Sequence, residues 1–284
     1  LLLSRPHTMT TPMMQQYREA RERHPGMLLF FRMGDFFELF YEDAEIVSRV
    51  LGLKLTSRDG SIPMAGIPHH QLENYLPKLL HAGHRVAICD QVEDAAQAKG
   101  LVKREVTRVV TPGTLTEDNL LDPRASNHLV ACVPESKRSA RAGLAWVELS
   151  TGLFQACDID LERLEDELSR LAPSELIYPE HTMAPLAGRL QKEVFPNLTF
   201  TPRADWTFDP STAKGMLFGH FKVSTLAGFG FEDDQPCLTA AGALLEYLKE
   251  TFKANLAHLH RLRPYRQERF LFLDEVTRRS LELT

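Results

Sequence analysis

His128-Leu129-Val130-Ala131-Cys132-Val133 opens a run of three strand-like segments, followed by Gly143-Leu144-Ala145-Trp146-Val147-Glu148-Leu149 and Leu153-Phe154-Gln155-Ala156-Cys157-Asp158. Residues 135–141 and 150–152 read as the turns that join them. Short apolar runs with such connections read as antiparallel strands in a meander. After them the pattern changes period. A helix is predicted over 161–171, stopped by Pro173, then a strand at 175–178, another helix, a strand at 198–201 and a longer helix over 238–252.

Three antiparallel strands leading into helix–strand units set the order of a ribonuclease-H-like α/β domain. Upstream lies a second α/β pattern. Residues 13–24 read as a short helix closed by Gly26, 27–33 as a buried strand ending at Gly34, and 41–51 as an amphipathic helix with Ala44, Val47, Val50 and Leu51 on one face. A short strand at 53–56 precedes the turn-rich 57–68. A helix follows over 71–81 with Leu72, Tyr75, Leu76, Leu79 and Leu80 inward, and then strands at 85–89 and 105–110. Residues 111–127 hold Pro112, Gly113, Asp122, Pro123 and Asn127 with little periodicity, the composition of a linker. Beyond Leu259 a basic cluster (Arg261, Arg263, Arg266, Arg269) leads to a strand at 270–273 and a helix that stops in mid-pattern. The expected fold class is therefore a mixed-sheet α/β domain, a ribonuclease-H-like α/β domain and a truncated helical segment.

Composition narrows the function. Of 284 residues, 43% are hydrophobic and 25% charged, which excludes disorder and fibrous repeats. The formal net charge of −5 excludes a protein that holds nucleic acid by bulk charge alone. No apolar run is long enough to span a bilayer. The four cysteines, Cys89, Cys132, Cys157 and Cys237, are widely separated, which argues for a reducing compartment and against a disulfide framework or structural zinc. No Gly-x4-Gly-Lys-Ser/Thr, His-Glu-x-x-His or Gly-x-Ser-x-Gly occurs, and the Gly228/Gly230 pair lacks the third glycine of a dinucleotide fingerprint. Residues 1–8 precede an ordinary-looking start at Met9 and are set aside.

The most unusual segment is Phe30-Phe31-Arg32-Met33-Gly34-Asp35-Phe36-Phe37-Glu38-Leu39-Phe40, with five phenylalanines among eleven residues. If residues 36–40 are extended, Phe36 and Glu38 share one face while Phe37 and Leu39 point into the core. An aromatic and a carboxylate side by side on an exposed face suit a flat ring with hydrogen-bonding edges. The plainer alternative packs Phe36 at a domain edge and leaves Glu38 solvated, as most aromatic stripes are core.

Gly34-Asp35-Phe36-Phe37-Glu38-Leu39-Phe40 resembles the Phe-x-Glu mismatch-reading motif of the MutS family of DNA mismatch-recognition proteins. Further blocks similar to the family follow in its order. They are Ile62-Pro63-Met64-Ala65-Gly66-Ile67-Pro68-His69, Val86-Ala87-Ile88-Cys89-Asp90-Gln91, and Lys103-Arg104-Glu105-Val106 leading to Val110-Thr111-Pro112-Gly113-Thr114. Ser150-Thr151-Gly152, Pro173-Ser174-Glu175 and Thr277-Arg278-Arg279-Ser280-Leu281-Glu282-Leu283 complete the set, which spans residues 9–284. Phe37 stands where members often carry Tyr, a change on the buried side.

The resemblance implies a mismatch-binding domain over 9–112, a linker over 113–127, a ribonuclease-H-like connector over 128–258 and the truncated start of a lever domain over 259–284. It implies recognition of mispaired and unpaired bases, with Phe36 entering from the minor groove, stacking on a base and kinking the duplex. A mismatch has already lost stacking and pairing, so it deforms more cheaply than a matched step. Glu38 would accept a hydrogen bond from a thymine ring N–H, while its charge penalises matched duplex. The family's clamp and ATPase domains, with ATP and Mg2+, are expected outside this chain, so no catalytic residue, metal or cofactor is assigned to it. Implied partners are duplex DNA with mismatches or small unpaired loops, a second copy in a full-length homodimer, and MutL through the connector, in a bacterial cytoplasm close to the nucleoid and without a membrane.

Other candidates carry less. His69-His70 and His81/His84 have no partner at metal-ligand spacing. Glu148 falls where ribonuclease-H-like nucleases place a metal-binding acid, but Asp158 and Asp160 lack an evident counterpart later in the chain, so Glu148 reads better as a hairpin residue. A nuclease remains one alternative, and a MutS-like paralogue outside mismatch repair another. A paralogue that reads no mismatch needs neither Phe36 nor Glu38.

Overall fold

The computed structural model describes residues 11–58, 60–93, 100–116, 126–136, 139–232, 234–252, 256–266, 277 and 280–281. The chain divides into two compact units between Val110 and Thr111.

In the first unit, strands β1 (Leu28–Met33) and β2 (Phe36–Phe40) form a hairpin closed by the pair Met33/Phe36. Its two-residue turn is Gly34-Asp35, with Gly34 at φ 57°. A positive φ at the first central position, where glycine bears no steric cost, lets the turn match the twist of the strands. Helix α2 (Tyr41–Leu51) follows β2 directly, and α3 (Leu72–His81) precedes β5 (Val86–Gln91), which runs parallel to β1. With β3 (Thr56–Arg58), β4 (Ile62–Pro68) and β6 (Arg104–Val110), the sheet has the order β3-β4-β2-β1-β5-β6.

The region 57–68, expected to be turns, is thus largely a strand, and the strand expected at 53–56 begins only at Thr56. The prolines of β4 escape the usual cost because each faces one paired neighbour only. Pro63 pairs with Ser57 of β3 beyond the β2 ladder, and Pro68 pairs with Phe36 of β2 beyond the β3 ladder.

Helix α1 (Pro12–Arg23) covers one face of this sheet, burying Met13, Met14, Tyr17 and Ala20 against Leu29, Phe31, Phe40 and Ala87. The alternate residues Phe37, Leu39, Ala65 and Ile67 are buried on the opposite face, on the side of α2 and α3. Asp43 of α2, 2% exposed, joins three elements. It accepts from Leu29 N at 3.0 Å and from Arg21 Nη2 at 3.0 Å, while Arg21 Nη1 donates to Met27 O at 2.8 Å. Burial nonetheless holds the Asp43 carboxyl above its ordinary range.

The second unit carries the meander β7 (His128–Pro134), β8 (Arg141–Glu148) and β9 (Leu153–Asp160). Strands β10 (Glu175–Pro179) and β11 (Thr199–Arg203) add in parallel beside β7, and β12 (Arg263–Pro264) adds in parallel beside β9. The order β11-β10-β7-β8-β9-β12 contains the five-strand arrangement expected of a ribonuclease-H-like domain. Helices α4 (Leu164–Leu171) and α5 (Glu180–Glu193) pack on one face around Trp146, which is 1% exposed, while α6 (Pro210–Phe221) and α7 (Pro236–Thr251) pack on the other. The second tryptophan, Trp206, is 63% exposed.

Two glycines allow α7 to sit this deep. A Cβ on Gly143 would lie 2.2 Å from the Pro236 carbonyl, and one on Gly242 would lie 2.5 Å from Ala213 Cα in α6. Asp158 of β9 accepts from Cys237 N at 2.8 Å, supplying from a strand the N-terminal cap that Gln235 does not. The strand expected at 270–273, Arg269 and most of the last helix lie outside the described residues; Leu281 N donates to Thr277 O at 3.0 Å, one helical turn. Among the described residues no helix is long and apolar enough to cross a membrane.

Candidate nucleic-acid interface

The β1–β2 hairpin and β4 set the site. Cross-strand partners in an antiparallel ladder point to the same face, so Phe31, Glu38 and Gly66 form one row and Met33, Phe36 and Pro68 the next. Phe31 and Phe40 on this face lie under Tyr17 of α1, with ring centroids 5.6 Å and 5.0 Å away. Phe36 is 48% exposed, Gly66 is exposed and Glu38 is half-buried, whereas Phe37 is 3% exposed.

The alternation expected from the sequence is thus present, with Phe36 and Glu38 outward and Phe37 and Leu39 inward. Phe37 packs edge-on to Phe30 at 6.3 Å, and the Arg32 guanidinium lies 5.5 Å from its ring centroid. The hairpin tip is held from just beyond β4, since His69 N donates to Asp35 O at 2.9 Å and its Nδ1 lies 3.1 Å from the same oxygen. Both contacts tie His69 to the hairpin tip. His81 likewise places Nδ1 2.6 Å from Pro77 O. Among the described residues no group of three or more His, Cys, Asp or Glu is arranged to hold a metal.

Glu148 and Asp158 are engaged in separate structural contacts. Glu148 accepts from Thr151 Oγ1 at 2.7 Å at the β8–β9 turn, and Asp158 pairs with Arg141 at 3.2 Å besides capping α7. Strand β7 carries no acid, and the acid of β10, Glu175, is fully buried. Burial pushes the Cys132 and Cys157 thiols up to about 12 and drives Cys237 higher still, so none is a thiolate at neutral pH. Arg261, Arg263 and Arg266 are exposed, and the described structure gives them no shared site.

Sequence reasoning missed the joint around Glu175. Its Oε2 accepts from Thr111 Oγ1 at 2.5 Å and from Gly113 N at 3.1 Å, and its Oε1 accepts from Thr201 Oγ1 and Tyr247 Oη, both at 2.7 Å. Residues 111–114, taken from composition as the start of a linker, are a buried 3-10 turn docked on this carboxylate. A Cβ on Gly113 would come 2.8 Å from Leu129 Cδ1 and 2.9 Å from Glu175 Cβ. The only advance signal was that Thr111-Pro112-Gly113-Thr114 and Pro173-Ser174-Glu175 both stood among the blocks of the resemblance.

Two family models match the chain in succession, MutS domain I over residues 11–119 and MutS domain II over residues 127–260. The chain belongs to the MutS family. Its curated relatives include the DNA mismatch repair protein MutS of Rhodopirellula baltica, 44% identical over 296 residues, covering 96% of this chain and 33% of the relative. The protein of the same name from Salinibacter ruber is 42% identical over 279 residues, covering 96% of this chain and 30% of the relative. The chain therefore spans about a third of the length of these MutS proteins. The Phe36/Glu38 face lies in the part matching MutS domain I, and the Glu175 joint includes residues from both matched stretches.

Proposed function

We propose that the face bearing Phe36 and Glu38 reads mispaired and unpaired bases in duplex DNA, as the sensing part of a MutS mismatch-repair protein. The observation that carries this reading is the contrast within one strand. Phe36 is exposed beside Glu38, while its neighbour Phe37 is buried. A phenyl ring there can insert at a base step and stack, and unstacking a step costs a few kcal/mol. The cost is smaller where pairing is already lost, so selectivity follows from deformability rather than from base-specific contacts. Glu38 beside it accepts a hydrogen bond from a base N–H and repels phosphates where no such bond forms.

In the whole protein this chain would act with further domains. It contains no Gly-x4-Gly-Lys-Ser/Thr, and no step of the reading described here passes through ATP or Mg2+. A homodimer partner and a MutL contact on the second unit belong to the same proposal.

The test is equilibrium binding by an intact MutS protein carrying these two domains, on duplexes with and without a single mispair. Phe36→Ala removes a stacking face worth roughly 1–3 kcal/mol per base. Affinities for the two duplexes should converge through loss on the mismatched one. A variant that keeps wild-type discrimination refutes the reading.

A further inference from the structure

Gly66 stands in the interior of β4, directly opposite Glu38. A glycine in a strand interior sacrifices backbone entropy and packs nothing, so its presence there needs a reason. Three reasons internal to a fold are available, and none applies. Gly66 is not among the residues with positive φ, so its backbone conformation is open to any residue. The ladder from Pro68 to Met64 against Phe36 to Phe40 runs without a register shift, so there is no bulge. Among the described residues a Cβ would meet only Phe37 O at 3.4 Å and Glu38 Cγ at 3.7 Å, ordinary van der Waals contact.

What remains is the close approach of something outside the fold. The missing Cβ would project on the face that holds Phe36 and Glu38, and the position is exposed. Its neighbours on β4, Ala65 and Ile67, point the other way and are buried. Glycine therefore leaves a patch of bare backbone beside Glu38 and diagonal to Phe36.

We infer that Gly66 is a DNA-contact position, where the sugar edge of the minor groove seats against bare backbone as Phe36 stacks. This rests on the reading given above and adds a residue to it. A side chain at position 66 would hold the duplex off by the width of at least a methyl group. Phe36 would then enter less deeply, although its ring is untouched. Stability should move the opposite way, since a β-branched residue suits an exposed strand position better than glycine.

The experiment uses Gly66→Ala and Gly66→Val in an intact MutS protein carrying these domains, with filter binding to a duplex containing one G·T mispair. Thermal unfolding is measured in parallel and Phe36→Ala serves as the control. Gly66→Val is expected to weaken mismatch binding by about tenfold, the scale of a modest steric intrusion. Gly66→Ala should weaken it less, and neither should lower the unfolding temperature. Wild-type affinity in a folded Gly66→Val overturns the inference, as does affinity lost only in step with stability. If Gly66→Val does not fold, Gly66→Ala decides alone: weakened binding at unchanged stability supports the contact, and wild-type affinity overturns it. The control separates the two levels. Phe36→Ala without effect defeats the reading of the whole face, whereas Phe36→Ala active and Gly66→Val silent defeats this contact only.

Discussion

Thr111 Oγ1 donates to Glu175 Oε2 at 2.5 Å across 64 residues of sequence. Three more donors, Gly113 N, Thr201 Oγ1 and Tyr247 Oη, complete the carboxylate's environment, and all are neutral. The residue is fully buried, so its solvation by water is replaced entirely by these groups.

Removing that carboxylate strands several buried donors at once. Each unsatisfied donor costs roughly 1–3 kcal/mol, so Glu175→Ala should destabilise the second unit by about 3 kcal/mol or more. Glu175→Gln retains one acceptor oxygen but turns an amide NH2 toward another donor pair, and its loss should be smaller. Urea denaturation followed by circular dichroism gives both values. A loss below about 1 kcal/mol in Glu175→Ala would show that water or rearranged hydroxyls replace the joint.

The two adjacent phenylalanines of β2 should separate stability from recognition. Phe37→Ala opens a cavity in the first unit and is expected to cost roughly 3–5 kcal/mol. Phe36→Ala touches an exposed ring and should stay within about 0.5 kcal/mol of wild type. Thermal unfolding of the two variants side by side measures this. The reverse ranking would mean that the strand's faces are assigned the wrong way round.

Glu38→Gln keeps a hydrogen-bonding carbonyl and removes the charge. If the charge penalises matched duplex, the variant should bind matched DNA more tightly and discriminate less. Competition between matched and mismatched duplexes at two salt concentrations reads the effect, which should shrink as salt screens the phosphates. Unchanged discrimination would leave Glu38 as a hydrogen-bond partner only.

His84, at the entry to β5, is held below the ordinary imidazole pKa of 6.5 by burial and then by the Arg49 charge. The unfolded chain therefore takes up a proton near pH 6.5 that the folded chain refuses until lower pH. Between those two values the unfolded state binds more protons, so stability falls as pH drops through the window and is fully present above it. Urea midpoints at about pH 7.5 and about pH 5.5 should differ less in His84→Gln than in wild type. An equal difference in both would assign the pH dependence elsewhere.

The sequence made β1, α2, α3 and the meander legible because each is coded locally, by a turn glycine or by apolar spacing, whereas β2 follows only if residues 36–40 are taken as extended. Strand β4 was hidden because Pro63, Gly66 and Pro68 imitate a loop, and only the staggered ends of the β2 and β3 ladders make them tolerable in a sheet. Helix α6 left no clear pattern, since Gly215 and Gly219 interrupt it and Ala213 is chosen to meet Gly242. Of the site, the faces of Phe36 and Glu38 followed from strand alternation. The openness at Gly66 and the docking of Thr111 on Glu175 depend on pairing between distant segments, which no local window contains.

The placement of the tryptophans divides the chain optically. Both belong to the second unit, Trp146 sealed in its core and Trp206 in water, and residues 1–110 have none. Intrinsic emission excited at the red edge therefore reports the second unit alone, with a blue-shifted component from Trp146 and a red, acrylamide-quenchable one from Trp206. A tryptophan placed at Phe36 would be the first unit's sole red-edge emitter, and stacking on a base would quench it.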